Sequence, residues 1–198
     1  SPFHYEDQVK YFQYVGGNGQ DPVLQASLIY NLHKKHNKRI LALFTSRYAL
    51  NNVYQELRKK PDSRDLPIFA QLRGSSRHAI IQGMHRKKNG ILLGTNAFWE
   101  GIDLPGELLE ILILAKLPFG VPSEPVIKAY SNLLQSLDKN PFLDFNVPES
   151  VIKFRQGFGR LIRTTQDVGA FFVMDERVVK KRYGKSFSDS IPVRMDPF

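Results

Sequence analysis

Five short apolar runs recur along the chain, and most of them end in polar residues. They are Arg39–Ser46, Ile68–Gln71, Ile91–Asn96, Leu109–Leu117 and Gly169–Asp175. Short runs without alternation are typical of buried parallel strands, and polar residues at their ends are expected where the carboxyl end of a strand meets a ligand. The run from Leu109 to Leu117 contains the longest apolar stretch and is therefore predicted to be central in the sheet.

Apolar residues at helical spacing fill most of the segments between these runs. A helix is predicted to begin at Asp21-Pro22, where aspartate can cap it and proline can take the first helical position, and to end near His33. Further helices are predicted at Tyr48–Lys59, Ser75–Lys88, Glu124–Leu137 and, briefly, from Asp175 to Tyr183. We expect Phe3–Val15 to form a strand or an extended arm, and Lys185–Phe198 to add an edge strand.

The alternation of strands and helices predicts an α/β fold. Its sheet is mainly parallel and is covered by helices on both faces, which gives three layers, α/β/α. The sequence contains no internal repeat, low-complexity tract or linker, so residues 1–198 are expected to form a single domain. Ligands are expected to gather at the carboxyl ends of the strands.

Composition narrows the choice of partners. Lys and Arg number 28 against 19 Asp and Glu, which gives a net charge of +9. This balance suits a polyanion such as nucleic acid, although a solvated lysine-rich surface explains it equally well. Because the chain has no cysteine, these residues contain no disulfide, thiolate metal site or iron–sulfur cluster. The polar opening, and the lack of an apolar run long enough to cross a bilayer, favour a cytoplasmic protein.

The segment from Gln156 to Arg163 carries the most distinctive pattern. A helix predicted over Val151–Arg163 would present, at spacings of three, four and seven, one face with Gln156, Gly159, Arg160 and Arg163. Two guanidinium groups one turn apart can each bind phosphate oxygens in a bidentate manner, so this face suits a polyphosphate. A solvated basic helix is the alternative, but such a helix would have no use for glycines that weaken it.

The pattern Gln-x-x-Gly-Arg-x-x-Arg resembles motif VI of superfamily-two helicases, and its fuller form, QGFGRLIRT, resembles the XPD/DinG branch. The resemblance implies a RecA-like domain. It also implies that Arg160 and Arg163 are arginine fingers directed at the γ-phosphate of ATP, with Gln156 and Gly159 beside the nucleotide. A DNA-repair helicase that moves along single-stranded DNA is the function that follows from it.

A second segment, Gly94–Gly106, joins a strand end to further glycines and an acid. Exposed backbone N–H groups and a hydroxyl there can bind phosphate, and a carboxylate can accept from a ribose hydroxyl or hold an arginine. An ordinary turn with Trp99 in the core is the alternative. The segment resembles family motif V, which implies that Thr95 contacts the DNA backbone and that the nucleotide cleft is lined by Glu100, Gly101 and Asp103.

A third segment, Leu43–Tyr48, resembles family motif IV, which implies that Thr45 and Ser46 contact phosphates of single-stranded DNA. Gln71–Arg77 resembles the adjoining family segment, although two residues separate its glutamine from its glycine, and it adds Arg77 as a DNA contact. Hydroxyls and arginines of this kind position a sugar-phosphate chain without reading bases. Tyr48 is predicted to pack within the structure and not to stack on a base.

The chain also lacks motifs that a complete motor would contain. It has no Gly-x-x-x-x-Gly-Lys-Ser/Thr loop and no Asp-Glu-Ala-His-like acid pair. The resemblance therefore implies the second motor domain of a longer protein. ATP and Mg²⁺ would bind mainly to the absent first RecA-like domain, and the partners would be that domain and single-stranded DNA, with no membrane.

Several alternatives remain open at this point. Some members of the family carry an additional exonuclease domain, and the sequence does not decide whether this parent does. A nucleic-acid-binding module without motor activity would also suit the charge, but it does not require the glutamine and glycines of motif VI. A self-contained nucleotide-dependent enzyme is disfavoured by the missing phosphate loop, and the isolated domain is predicted to be inactive as an ATPase.

Overall fold

The structure, a computed structural model, describes residues 4–95, 109–162 and 164–198. The strands within these ranges are β1 Val9–Gln13, β2 Ile40–Phe44, β3 Ile68–Ala70, β4 Ile91–Thr95, β5 Ile111–Leu114, β6 Gly169–Val173 and β7 Met195–Pro197. They form one sheet in the order β3-β4-β2-β5-β6-β1-β7, and each neighbouring pair is parallel. β5 is the fourth of the seven described strands, so the prediction of a central strand there is confirmed.

Helices connect most of these strands. They are α1 Tyr5–Gln8, α2 Pro22–His36, α3 Arg47–Arg58, α4 Arg77–Arg86, α5 Pro125–Ser136, α6 Val147–Phe158, α7 Arg177–Lys180 and α8 Lys185–Ser188. A π-helical turn at Phe142–Asn146 leads into α6, and a 3₁₀ turn at Arg182–Gly184 precedes α8. As the sequence predicts, Asp21 caps α2 by accepting from Val23 N at 2.9 Å.

Alternate side chains of each strand enter two separate cores, one on each face of the sheet. On β5, Leu112 and Leu114 belong to the first core, and Ile111 and Ile113 belong to the second. Helices α4, α6 and α8 close the first core with Ile80, Met84, Phe154, Phe158 and Phe187. Helices α2 and α3 close the second core with Ala26, Ile29, Leu50, Val53 and Leu57. The predicted three-layer α/β architecture is thereby confirmed.

Both ends of the chain join the sheet at the same side. β7 pairs with β1 and is the edge strand that the tail was predicted to add. The prediction of a strand or extended arm over Phe3–Val15 is right for β1 and wrong for Tyr5–Gln8, which form one helical turn. That turn is closed by Gln8, whose Oε1 accepts from His4 N at 3.1 Å.

Candidate functional site

The carboxyl ends of the strands form one edge of the sheet, here called the carboxyl edge. Strands β3, β4, β2 and β5 are consecutive neighbours there. Their carboxyl ends bring together Gln71, Thr95, Thr45 and Lys116. Because adjacent strands lie about 4.8 Å apart, these positions form a row roughly 15 Å long. The structure thus places the predicted DNA-binding residues in or beside this row: Thr45, Ser46, Thr95 and Arg77.

Thr45 and Ser46 follow β2 directly and both offer hydroxyl groups. Ser46 is the N-cap of α3, and its Oγ accepts from Ala49 N at 3.1 Å. The hydroxyl hydrogen of Ser46 therefore remains available to a phosphate oxygen, at the helix end where the dipole favours an anion. The half-buried Thr45 hydroxyl forms no hydrogen bond with any residue in the described part of the chain.

Thr95 has a different environment, since its polar groups already have a partner. Its backbone N and its Oγ1 both donate to Gln71 Oε1, at 3.0 and 2.9 Å, and the residue is 9% exposed. The Thr95 hydroxyl can therefore still accept a hydrogen bond, but it donates to a phosphate only if Gln71 moves. This contact joins the two segments, around Gln71 and Thr95, that resemble DNA-binding motifs of the family. Gln71 itself was not among the predicted site residues.

Arg77 is the first residue of α4 and is exposed. The loop before it turns at Gly74, whose φ of 82° lies in the left-handed region that glycine adopts without strain. Ser75 Oγ closes this loop by accepting from Leu72 N at 3.1 Å, and Ser76 caps α4. The loop thus places an arginine beside a second helix N-terminus at the carboxyl edge.

Tyr48 contradicts its predicted packing role. It is 78% exposed on the first turn of α3. In this helix the buried positions are Leu50, Val53 and Leu57, and Tyr48 lies outside that stripe. The ring is therefore accessible on the same side of the molecule as Ser46.

The predicted motif VI residues lie at the opposite edge. Tyr5 precedes β1, which runs parallel to β6, and its ring packs on Phe158 at a centroid distance of 5.6 Å. The end of α6 is therefore beside the amino ends of β1 and β6, here called the amino edge. Thr45, Ser46 and Thr95 thus lie at the carboxyl edge, where ligands are expected, whereas Gln156, Gly159 and Arg160 lie at the amino edge.

The predicted helix over Val151–Arg163 is also wrong in its extent. Helix α6 begins at Val147 and ends at Phe158, with Gly159 as its C-cap, and Arg160 N closes a tight turn on Gly157 O at 3.0 Å. Leu161 and Ile162 are buried, at 0% and 2% exposure, because the chain leaves the helix and turns into the first core. Gln156, Gly159 and Arg160 therefore span a helix end and a turn and do not share one helical face.

An open cleft of about 500 Å³ lies beside this turn. Tyr5, Ile152, Arg155, Gln156, Phe158, Gly159, Ser190, Ile191 and Pro192 line it. Gln156 and Gly159 are exposed, and Arg160 is half-buried. The amide of Gln156 and the backbone at Gly159 are thus accessible to a ligand at the amino edge.

A buried glutamine holds the segment that follows this turn. Gln8 Nε2 donates to Thr164 O at 3.1 Å and to Asp167 O at 2.9 Å. Asp167 Oδ2 in turn accepts from Thr164 N at 2.8 Å. Gln8 is 8% exposed, so these contacts fix the segment from beneath. No sequence signal identified Gln8, because a glutamine before an apolar strand is not a motif.

Four of the predicted site residues lie outside the described residues. They are Glu100, Gly101, Asp103 and Arg163. Thr95 and Leu109, the described residues on either side of positions 96–108, lie at the carboxyl and amino edges respectively.

An ion pair between the buried Asp175 and the half-buried Arg177 supports the carboxyl edge beside the row. Arg177 donates to both carboxylate oxygens of Asp175, with Nη2 to Oδ2 at 2.6 Å, and Leu117 N donates to the same Oδ2 at 2.9 Å. Burial raises the pKa of Asp175, but these hydrogen bonds and the Arg177 charge outweigh burial and hold that pKa below its ordinary value. The hydrogen bond to Asp175 is also the main reason that the pKa of Arg177 is raised.

The described residues contain neither a clustered set of metal ligands nor a long apolar helix. No group of three or more His, Asp or Glu side chains among them is placed to hold a metal ion. None of their helices is both long and apolar enough to span a bilayer.

Comparison with known proteins identifies the family. The family model for the helicase C-terminal domain matches residues 29–194. The 3'-5' exonuclease DinG of Bacillus subtilis is 36% identical over an alignment of 200 positions, which covers 97% of this chain and 22% of that protein. The ATP-dependent DNA helicase DinG of Photobacterium profundum is 40% identical over 155 residues, which are 77% of this chain and 22% of that protein.

Solved structures agree on the fold. The apo structure of XPD superposes on this chain with a TM-score of 0.70 at 14% identity. The match covers 96% of this chain and 40% of the XPD chain. This likeness establishes that the chain has the same RecA-like fold as these helicase structures. The chain spans about a fifth of the length of the curated relatives it matches, 22% in both cases above. It belongs to the helicase C-terminal domain family, and it is of the DinG type.

Proposed function

We propose that this chain, residues 1–198, is the second motor domain of an ATP-dependent DNA helicase. The observation that carries the proposal is the separation of its two polar sets. Hydroxyls and an arginine line the carboxyl edge, whereas Gln156, Gly159 and Arg160 adjoin a cleft at the amino edge. Two edges with different chemistry suit two ligands: a sugar-phosphate chain at the first and a nucleotide at the second.

The amino edge supplies the part of an ATP site that stabilises charge. A guanidinium keeps its proton and matches phosphate oxygens with a planar fork, so Arg160 and Arg163 suit the role of arginine fingers. Gln156 and Gly159 would border the nucleotide. Glu100, Gly101 and Asp103 would line the same cleft if the family pattern holds for this chain.

The remainder of the ATP site would belong to the first RecA-like domain of the same protein. ATP and Mg²⁺ would bind mainly there, because the sequence lacks a phosphate-binding loop and the described residues offer no metal site. Mg²⁺ would neutralise charge on the phosphates when bound, while this chain's arginines orient and stabilise the transferring group. We place the protein in the cytoplasm and in DNA repair.

The carboxyl edge supplies part of the track for single-stranded DNA. Thr45, Ser46, Thr95 and Arg77 would contact backbone phosphates, which explains how the domain can hold DNA of any sequence. Closing and opening of the cleft between two motor domains would move the strand, from 5′ to 3′ by family analogy. The curated relatives named above include both an exonuclease and a helicase, so an exonuclease domain elsewhere in the protein is compatible with this role.

The 198-residue chain is expected to fold but not to hydrolyse ATP. It contains the arginine part of the proposed site and lacks the loop that binds the phosphates. Phosphate release from the isolated chain should equal that of a buffer blank, with and without single-stranded DNA, while the longer protein is active. Robust ATPase activity from the isolated chain, stimulated by DNA, would show that the site is self-contained.

Single-stranded DNA is expected to bind the isolated chain weakly and without sequence preference. The proposed contacts go to phosphates and the net charge is +9, so the affinity should fall steeply as salt rises. Titration of labelled homopolymers at several salt concentrations measures this. Tight binding that depends on sequence and persists at high salt would instead favour a nucleic-acid-binding module without motor activity.

A further inference from the structure

Helix α5 carries an exposed apolar stripe along one face. The stripe consists of four residues at spacings of three and four, which a helix presents in one line: Val126, Tyr130, Leu133 and its C-cap Leu137. Each of the four is at least half exposed, from 50% for Tyr130 to 65% for Val126. No sequence motif pointed to this stripe, and the function proposed above does not use it.

A neighbouring face of the same helix holds α5 on the domain. Ile127 and Leu134 are half-buried, and Ile127 fills the space next to Gly120. The Tyr130 ring stacks on Phe145 of the π-helical turn at a centroid distance of 4.9 Å. At 3.6 residues per turn, Ile127 lies about 100° around the helix from Val126. The stripe is therefore beside this contact and is not covered by it.

Helix α5 also lacks the charges of a solvated helix. Lys128 is the one charged residue in its sequence, PVIKAYSNLLQS. None of its twelve residues, all of which the structure describes, is buried. A helix that is open to water on most sides normally carries charged residues there, whereas a wide apolar sector is typical of a helix packed on more than one side. A continuous apolar stripe, unlike single exposed residues, marks a surface that contacts another protein surface.

The size of the stripe indicates what covers it. One face of this twelve-residue helix is about 18 Å long and 10 Å wide, or roughly 200 Å². A stable interface between separate molecules needs about 800 Å² on each partner, so the stripe is too small to hold two copies of the chain together. Domains within one polypeptide need a smaller interface, because their linkers keep them at a high effective concentration. The chain spans 22% of its DinG relatives, so most of a protein of that kind lies outside the matched region.

We infer that the stripe on α5 is a docking surface for another domain of the same polypeptide. That domain presents an uncharged apolar face, because a charge set against Val126 or Leu133 loses its hydration without gaining a partner. The inference rests on one part of the proposed function, namely that this chain is a domain of a longer protein. Because α5 leads through the π-helical turn into α6, the docked domain is tied to the segment that ends at Arg160.

The test uses the full-length protein without DNA and measures, by mass spectrometry, the rate at which hydroxyl radicals oxidise Tyr130. The reference is Tyr48 on α3, which is 78% exposed. An open stripe predicts similar rates for the two rings, since Tyr130 is 50% exposed in this structure. With the stripe covered, Tyr130 should react roughly fivefold or more slowly than Tyr48, as expected for a ring at the centre of a contact from which water is excluded.

Substitutions on α5 test whether the stripe itself makes the contact. Leu133→Asp should release the docked domain and raise the oxidation rate of Tyr130 roughly fivefold, because a desolvated charge opposes the contact. Val126→Asp, about two turns away on the same stripe, should have the same effect. Asn132→Asp is the matched control, since it places the same charge at the adjacent exposed position outside the stripe, and it should leave the rate unchanged.

Two outcomes would overturn the inference. One is a Tyr130 ring that reacts as fast as Tyr48 in the wild-type protein, or equally fast in the Leu133→Asp and Asn132→Asp variants. The other is a wild-type dimer in mass photometry that Leu133→Asp dissociates, which would assign the stripe to a second copy of the chain. The proposed function fails by a different readout, since retained ATPase turnover in the Arg160 and Arg163 variants would contradict it whether or not Tyr130 is protected.

Discussion

Replacement of Arg160 by alanine in the full-length protein is expected to lower ATPase turnover by roughly a thousandfold or more, since arginine fingers act on charge that develops during phosphoryl transfer. Arg163→Ala is expected to have an effect of the same order. The affinity for single-stranded DNA should change little, because the end of α6 is at the amino edge and the hydroxyl row is at the carboxyl edge. Steady-state ATPase turnover and oligonucleotide binding, measured on the same preparations, test the expected loss of turnover and the expected constancy of DNA affinity.

Two further variants sharpen this experiment. Arg160→Lys should recover only part of the activity, since a point charge does not reproduce a bidentate fork. Arg64→Ala removes an exposed arginine from the turn before β3, at the other end of the sheet, and should leave turnover unchanged. Turnover within a few-fold of the parent for both Arg160→Ala and Arg163→Ala would remove the finger assignment. A loss of DNA affinity with ATPase turnover retained would favour a nucleic-acid-binding module.

The strands were predictable because burial on both faces leaves a strong mark in sequence. β2, β4 and β5 are fully buried, so β2 and β5 appear as unbroken apolar runs and β4 begins as one. The carboxyl-end rule then located Thr45, Ser46 and Thr95 correctly at one edge. The same rule, applied to the second residue after β5 and after β6, would also have singled out Lys116 and Asp175.

The end of α6 was not predictable from local pattern. Leu161 and Ile162 are compatible with helix by propensity, and the arginine spacing fits one helical face. Burial of both side chains in the first core decides instead, and that burial depends on strands distant in sequence. The contacts of Gln8 with Thr164 and Asp167 span 156 and 159 positions, so no sequence window contains them.

The pairing of Asp175 with Arg177 was hidden for a related reason. Residues two apart do not face each other on a helix, so their spacing suggests no ion pair. The turn between β6 and α7 brings them together, and Leu117 N completes the set from another strand. The structure thus identifies a buried group whose removal has a large expected effect.

Asp175→Ala is expected to destabilise the fold by about 3 kcal/mol, the lower end of the usual result for a buried pair, because Arg177 is only half-buried. The variant leaves Leu117 N without its acceptor and Arg177 without its counter-charge. Because Asp175 is 0% exposed, water does not readily replace the lost carboxylate. Urea unfolding at neutral pH measures the change. Glu176→Gln is the matched control: it removes the neighbouring carboxylate, which pairs with Lys180 at the surface, and should cost under about 1 kcal/mol.

The stabilisation from Asp175 is also expected to depend on pH in one direction. Its pKa is lower in the folded chain than the ordinary value of 3.8, so the folded state favours the charged carboxylate. This contribution is complete above about pH 5, where the carboxylate is charged in the unfolded chain as well, and it is lost as pH falls through the folded pKa. Asp175→Asn cannot titrate and lacks this component. The difference in unfolding free energy between wild type and Asp175→Asn should therefore be constant from pH 5 to 7, by the same linkage, and should shrink in more acidic solution. A difference that grows on acidification, or a value for Asp175→Ala no larger than that for Glu176→Gln, would show that the pair does not stabilise the carboxyl edge.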